Sequence, residues 1–236
     1  MGEFHHDHGG RRERPSQRPS KSHQHLQPVH VSSRDCGIAA AVSSEEAAAA
    51  AAGGGDNGLS VLTETLSTVP VEMFAFDFDL TLTRRHIYNA GVTVEDVESG
   101  RAPLQAELPY CDELASILQG ITAAEKKWCI VTFGQPNVVR AYLRAMGFPD
   151  DQTEVYSPLN DGERYNENKS PPKDKNNILS EIATKEGVED KRRVFLLDDD
   201  GRNVAAARRG GFSASVVERP GLGMSIQLFL RYLSQE

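Results

Sequence analysis

The stretch "VEMFAFDFDLTLTRRH" (71–86) decides the fold. Its opening run is of strand length and apolar on both faces, the pattern of a strand buried in a parallel sheet rather than an edge strand half in water. It ends in two carboxylates one residue apart, Asp77 and Asp79, followed by a threonine-rich turn. A buried strand that finishes on negative charge needs a partner for that charge elsewhere in the chain.

Working outward from there, apolar runs of strand length alternate with longer segments of helical spacing. "KWCIVTFG" (127–134), "RVFLLDDD" (193–200) and "FSASVVE" (212–218) read as strands, with "TEVYS" (153–157) a weaker one. Between them "YCDELASILQGITAAEK" (110–126), "QPNVVRAYLRAMGF" (135–148), "DKNNILSEIATKEG" (174–187) and "RNVAAARRGG" (202–211) repeat apolar residues with a helical period, and "SIQLFLRYL" (225–233) closes the chain as a further helix. This alternation predicts an α/β fold, a doubly wound (Rossmann-like), mostly parallel sheet with flanking helices.

Residues 1–69 are different. They hold almost no aromatics, carry six of the seven histidines, and pass through "EEAAAAAAGGGDNG" (45–58). Such a composition cannot bury enough apolar surface to offset the entropy of ordering, so 1–69 is expected to be a disordered low-complexity tail, with a transient helix around 47–52. "HHDH" (5–8) reads as solvated, since no structured ligands accompany it. The folded domain is then 70–236, and "LSVLTETLSTVP" (59–70) is a short helix or lead-in to it.

Whole-chain properties exclude several classes of function. With 236 residues and a net charge of -8, the chain lacks the basic surface of a nucleic-acid binder. No apolar run is long enough to cross a bilayer, and the N-terminus has no secretory core, so a cytoplasmic or nuclear location with no membrane partner is expected. Cys36, Cys111 and Cys129 are widely spaced and suggest neither a zinc site nor a disulfide framework. Nothing in the sequence indicates an oligomer.

In a doubly wound sheet, ligands bind beyond the carboxyl ends of the strands, so the strand ends are read together. They bring Asp77 and Asp79, then Thr132, then Asp198, Asp199 and Asp200, while "NKSPPKDKNN" (168–177) supplies Lys169, Lys173 and Lys175 at or before a helix start. Acids gathered at one rim repel one another unless a cation is present, and an all-oxygen ligand set suits Mg2+ rather than zinc. A carboxylate there can attack phosphorus, and a second can exchange protons with leaving group and water. A hydroxyl and an ammonium can hold the phosphoryl oxygens.

"DFDLTLT" resembles the first motif, DxDx[TV], of the haloacid dehalogenase-like (HAD) hydrolase superfamily. "IVTFG" is similar to its second motif, and "VFLLDDD" to its fourth, with the lysine region where the third belongs. The resemblance covers about 71–218. It implies a phosphatase type with a minimal cap, in which Asp77 is the nucleophile and Asp79 the general acid/base. Thr132 and either Lys175 or Lys173 bind phosphate, and Asp77, Asp79, Asp198 and Asp199 hold Mg2+. Lys175 is preferred because "NNILSEIA" after it has helical spacing; Asp200 reads as a helix cap.

The function so implied is a magnesium-dependent phosphoester hydrolase working through an aspartyl-phosphate. The alternatives are a phosphotransferase or mutase of the same superfamily, or an inactive binding module. Receiver domains also gather acids, a Thr and a Lys, but in the opposite order. His86 and the adjacent Arg84 and Arg85 read as surface residues. The interval 84–126 leaves about 25 residues beyond its helix, room for a flap but not a cap domain. The expected partner is a phosphorylated substrate, either metabolite or phosphoprotein.

Overall fold

The computed structural model describes residues 55–234. The opening strand is β1 (Met73–Phe76), and all four of its residues are buried. Parallel neighbours account for this. Met73 is in register with Lys127 of β2 (Lys127–Val131) on one side and with Val194 of β4 (Val194–Asp198) on the other. β3 (Val155–Tyr156) lies outside β2 and β5 (Ser213–Val216) outside β4, giving a five-stranded parallel sheet in the order β3-β2-β1-β4-β5. Chain order reverses between β1 and β4, the switch point where such sheets open a crevice.

Successive side chains of a strand face opposite ways, and the two faces carry two cores. Phe74, Phe76, Ile130, Phe195 and Leu197 pack with α1 (Gly55–Thr68), α4 (Cys111–Ala123), α5 (Pro136–Ala145) and α8 (Ile226–Leu233). Met73, Ala75, Cys129, Val131 and Leu196 pack with α6 (Asn176–Glu186) and α7 (Gly201–Arg209). The Phe229 ring, 5.7 Å from that of Phe74 and 5.9 Å from that of Phe76, ties the last helix to the central strand.

The domain begins earlier than residue 70. Residues 55–68 form a helix, α1, whose Leu62 and Leu66 are fully buried. It lies so close to α4 that a Cβ on Gly120 would stand 3.3 Å from Leu62 Cδ2. The low apolar content that made this segment read as tail hides a one-sided stripe of two leucines four residues apart, enough to dock a helix. The expected tail up to 54, including "HHDH" and the alanine run, lies outside the described residues.

Two short helices, α2 (Val94–Glu98) and α3 (Leu104–Glu107), occupy the interval after the first motif, the first opened by a Thr93–Asp96 capping box. No helix among the described residues is long and apolar enough to cross a membrane. Cys111 and Cys129 are both buried free thiols.

Candidate active site

The sheet ladder continues one residue past β1: Asp77 N–H donates to Leu197 O at 2.8 Å, which sets the Asp77 side chain level with the end of β4. The chain then turns sharply. Phe78 O accepts from Leu82 N at 3.0 Å and Thr83 N at 3.2 Å, and Leu80 adopts a left-handed φ of 65°, uncommon for a residue with a branched side chain. Thr83 Oγ1 holds the turn by accepting from Leu80 N at 3.0 Å and donating to Arg85 O at 2.8 Å. Asp79 is thereby carried out of the strand, and its Oδ1 accepts from Ile87 N at 2.5 Å.

Lys175 answers the question of which lysine joins the acids. It stands at the N-cap of α6, nine-tenths and more buried, with Nζ 2.5 Å from Asp77 Oδ1 and 2.7 Å from Asp198 Oδ2. The Phe133 ring lies 5.4 Å from the same ammonium. Lys173 is exposed and outside the cluster, while Lys169 pairs with Glu163 at 2.7 Å.

Asp198, at the end of β4, is completely buried and held from several directions. Asn203 Nδ2 donates to its two carboxylate oxygens at 3.2 and 3.1 Å, and Asp200 N donates to Oδ1 at 2.8 Å. Asp199 is set by its backbone N–H, which donates to Thr81 Oγ1 at 3.0 Å. Asp200 turns away and caps α7 through Arg202 N at 2.8 Å. The buried Thr132 hydroxyl accepts from Gly134 N at 2.9 Å. A Cβ on Gly134 would lie 3.2 Å from Asp79 Oδ2 and 3.3 Å from Thr132 Oγ1, so only glycine leaves these two groups undisturbed.

Burial dominates the electrostatics. It pushes the Asp77 carboxyl up to about 7, with Lys175 pulling it down and Asp198 adding to the rise. Burial likewise raises Asp79, opposed by the Ile87 N–H, and raises Asp199, helped by Asp198. Burial would lower Lys175, but Asp77 and Asp198 outweigh it and keep the ammonium charged. Oxygens of Asp77, Asp198 and Asp199 lie within 4.8 Å of one another, and Asp77 Oδ2 is buried without a hydrogen-bond partner. Three hard anionic oxygens, one of them unsatisfied, fit a small divalent cation.

Several residues that the sequence did not single out complete the surroundings. Tyr88 lines a hollow of about 10 Å³ beside Asp79, Thr132 and Gly134, space for about one water. Its Oη accepts from Tyr165 N at 3.0 Å, its ring meets that of Tyr165 edge-on at 5.9 Å, and the Arg164 guanidinium lies 5.7 Å from its centre. Gln135 fixes the same segment, accepting from Gly162 N at 2.9 Å and donating to Glu163 O. Residues 160–169 are thus pinned over the acid/base side of the site. Thr81 and Asn203 had signals, one within "DFDLTLT" and one at the start of the helix after "LLDDD"; Tyr88 and Tyr165 had none, since their contact spans 77 positions.

No family model matches the chain, and no curated protein matches it. Similar solved structures include the HAD domain of the effector protein Lem4 from Legionella pneumophila, an inactive mutant. It is 14% identical with a TM-score of 0.48, over 70% of this chain and 93% of that one. The 3-deoxy-D-manno-octulosonate 8-phosphate phosphatase of Moraxella catarrhalis, in complex with a magnesium ion, a phosphate ion and a KDO molecule, is 19% identical with a TM-score of 0.41, over 67% of this chain and 75% of that one. DsGPDH of Dunaliella salina is 13% identical with a TM-score of 0.42 over 70% of this chain, which spans 27% of that protein. These are likenesses of fold.

Proposed function

We propose that the protein is a magnesium-dependent phosphoester hydrolase of HAD type, working through an aspartyl-phosphate on Asp77. The observation that carries this reading is the division of the Asp77 carboxylate: Oδ1 on the Lys175 ammonium, Oδ2 buried and unpartnered beside Asp198 and Asp199. A carboxylate fixed at one oxygen and free at the other is oriented for attack.

In the first half-reaction an Asp77 oxygen bonds to phosphorus as the bond to the leaving oxygen breaks, and Asp79 gives that oxygen its proton. In the second, Asp79 takes a proton from water, whose oxygen bonds to phosphorus and releases Asp77. The raised pKa of Asp79 suits a group that must hold a proton and then accept one. Lys175, the Thr132 hydroxyl and backbone N–H groups near Gly134 hold the phosphoryl oxygens as charge builds on them. A Mg2+ ion held by Asp77, Asp198, Asp199 and the Asp79 carbonyl would offset the negative charge shared by phosphate and carboxylates. The substrate is a phosphorylated metabolite or a phosphoprotein.

Hydrolysis of p-nitrophenyl phosphate with and without Mg2+, comparing wild type with Asp77→Asn, tests the reading. Metal-dependent release in the wild type and a loss of about 10³-fold or more in the variant are expected. Undiminished turnover in Asp77→Asn removes that residue from the nucleophile's role, and a wild type inert under varied metals removes the phosphatase function.

A further inference from the structure

Among the described residues four large apolar side chains stand exposed: Val61, Tyr110, Val216 and Leu222. Scattered singly, such residues need no explanation. Three of these four, however, follow one rim of the site. Val216 is in register with Asp198 at the end of the edge strand β5. Leu222 sits between Gly221, whose N–H donates to Leu80 O at 2.7 Å, and Gly223, where an added Cβ would lie 3.5 Å from Tyr110 Cδ2. Residues 216–223 therefore run from the end of β5, past the turn that carries Asp79, to the start of α4.

The rim is built, not loose. Gly221, with φ of 82°, approaches Arg84 so closely that a Cβ there would stand 2.6 Å from Arg84 O, and Glu218 N donates to the buried Tyr232 hydroxyl at 3.0 Å. Its charges are also uneven. Of the neighbouring acids, Glu218 pairs with Arg231 at 2.5 Å, Glu107 with Arg85 at 2.5 Å and Asp200 with Arg202 at 2.7 Å, while Glu113 accepts from Ile226 N at 2.8 Å and Asp112 stands exposed at the start of α4. Arg84 and Arg219 are exposed and have no ion-pair partner among the described residues. Two exposed arginines thus stand beside three exposed apolar groups.

We infer that this rim docks a segment of a phosphorylated protein bearing acidic and apolar residues beside its phosphorylated side chain, an inference that rests on the phosphatase reading of the site. A phosphorylated metabolite has no chemistry that uses Tyr110, Val216 and Leu222 together with Arg84 and Arg219. A peptide entering the site has both: apolar side chains to cover the first three, and carboxylates to meet the two guanidinium groups. Nucleic acid fits poorly, since two unpaired arginines neutralise too few phosphates.

The test compares a phosphoserine peptide flanked by glutamate and leucine, the same peptide with glutamine for glutamate, and p-nitrophenyl phosphate. The enzymes are wild type, the double variant Arg84→Ala/Arg219→Ala, and Leu222→Ser. The wild type is expected to prefer the glutamate peptide. The double variant should lower kcat/KM for it about tenfold while leaving p-nitrophenyl phosphate within about twofold. Leu222→Ser should weaken both peptides alike. Equal loss on peptide and aryl phosphate, or no wild-type preference between the peptides, overturns the docking surface. Should the wild type hydrolyse nothing, anisotropy of the labelled glutamate peptide separates the two ideas: binding weakened by the double variant supports docking without catalysis, and absent or unaltered binding refutes it.

Discussion

Lys175 Nζ lies 2.5 Å from Asp77 Oδ1, joining a helix start to a strand end 98 positions away. The same ammonium reaches Asp198 at 2.7 Å, so one buried cation holds two buried anions. Removing one member of such a group costs far more than the group contributes as a whole. Lys175→Met is expected to destabilise the protein by about 3–5 kcal/mol, read from urea denaturation. Saturating Mg2+ should recover part of that loss. A variant as stable as wild type without metal would show that the lysine does not compensate the acids.

The Asp77 carboxyl supplies a pH dependence. Its pKa is pushed up to about 7 by burial, above the ordinary carboxylate range, so in the intervening pH window the folded protein binds more protons than the unfolded chain. Stability of the metal-free protein therefore falls as pH rises through that window, and Asp79 and Asp199 act in the same direction. A divalent cation bound to these carboxylates would offset the cost of their burial as anions. Thermal shift with Mg2+ should be larger at pH 8 than at pH 5.5; an equal shift at both would contradict the account.

Gly134 gives a test that leaves every charged group in place. Its Cβ position stands 3.2 Å from Asp79 Oδ2 and 3.3 Å from Thr132 Oγ1, so Gly134→Ala must move the acid/base or the phosphate-binding hydroxyl by a few tenths of an ångström. About a tenfold loss in kcat is expected, with little change in melting temperature. Full activity would mean that the two groups tolerate displacement.

The Tyr88 hydroxyl holds residues 160–169 through Tyr165 N–H. Tyr88→Phe keeps the ring contacts and deletes only that acceptor. Trypsin should then cleave after Arg164 faster than in wild type, and amides of 160–169 should exchange faster with deuterium. Unchanged protection would assign the restraint to the ring contacts, Gln135 and the Arg140–Asp161 pair instead.

At the other end of the molecule, Leu66→Ala is expected to cost about 2–5 kcal/mol because the side chain is completely buried against the domain. A chain beginning at residue 70 should melt well below one beginning at 55. Equal stability of the two chains would restore the boundary that composition suggested.

The three central strands β1, β2 and β4 were legible because each is a largely buried run in a parallel sheet, and the charged ends of β1 and β4 were legible because they interrupt such runs. Lys175 was preferred over Lys173 from the helical spacing behind it, and α6 does begin there. The first helix was less visible because, among those of its residues whose burial is described, Leu62 and Leu66 alone are buried, and two residues make a weak periodic signal. Tyr88 and Tyr165 could not be read at all: a loop-to-loop contact across 77 positions leaves no local pattern.

Lys175 is held from its C-terminal side, by a helix that seats Leu179 and Ile182 in the core shared with Met73 and Ala75. The chain that precedes it, from the end of β3 to residue 174, supplies no member of the acid cluster. Changes confined to 157–169 should therefore spare the ammonium that the cluster depends on, even where they loosen the restraint over the acid/base side.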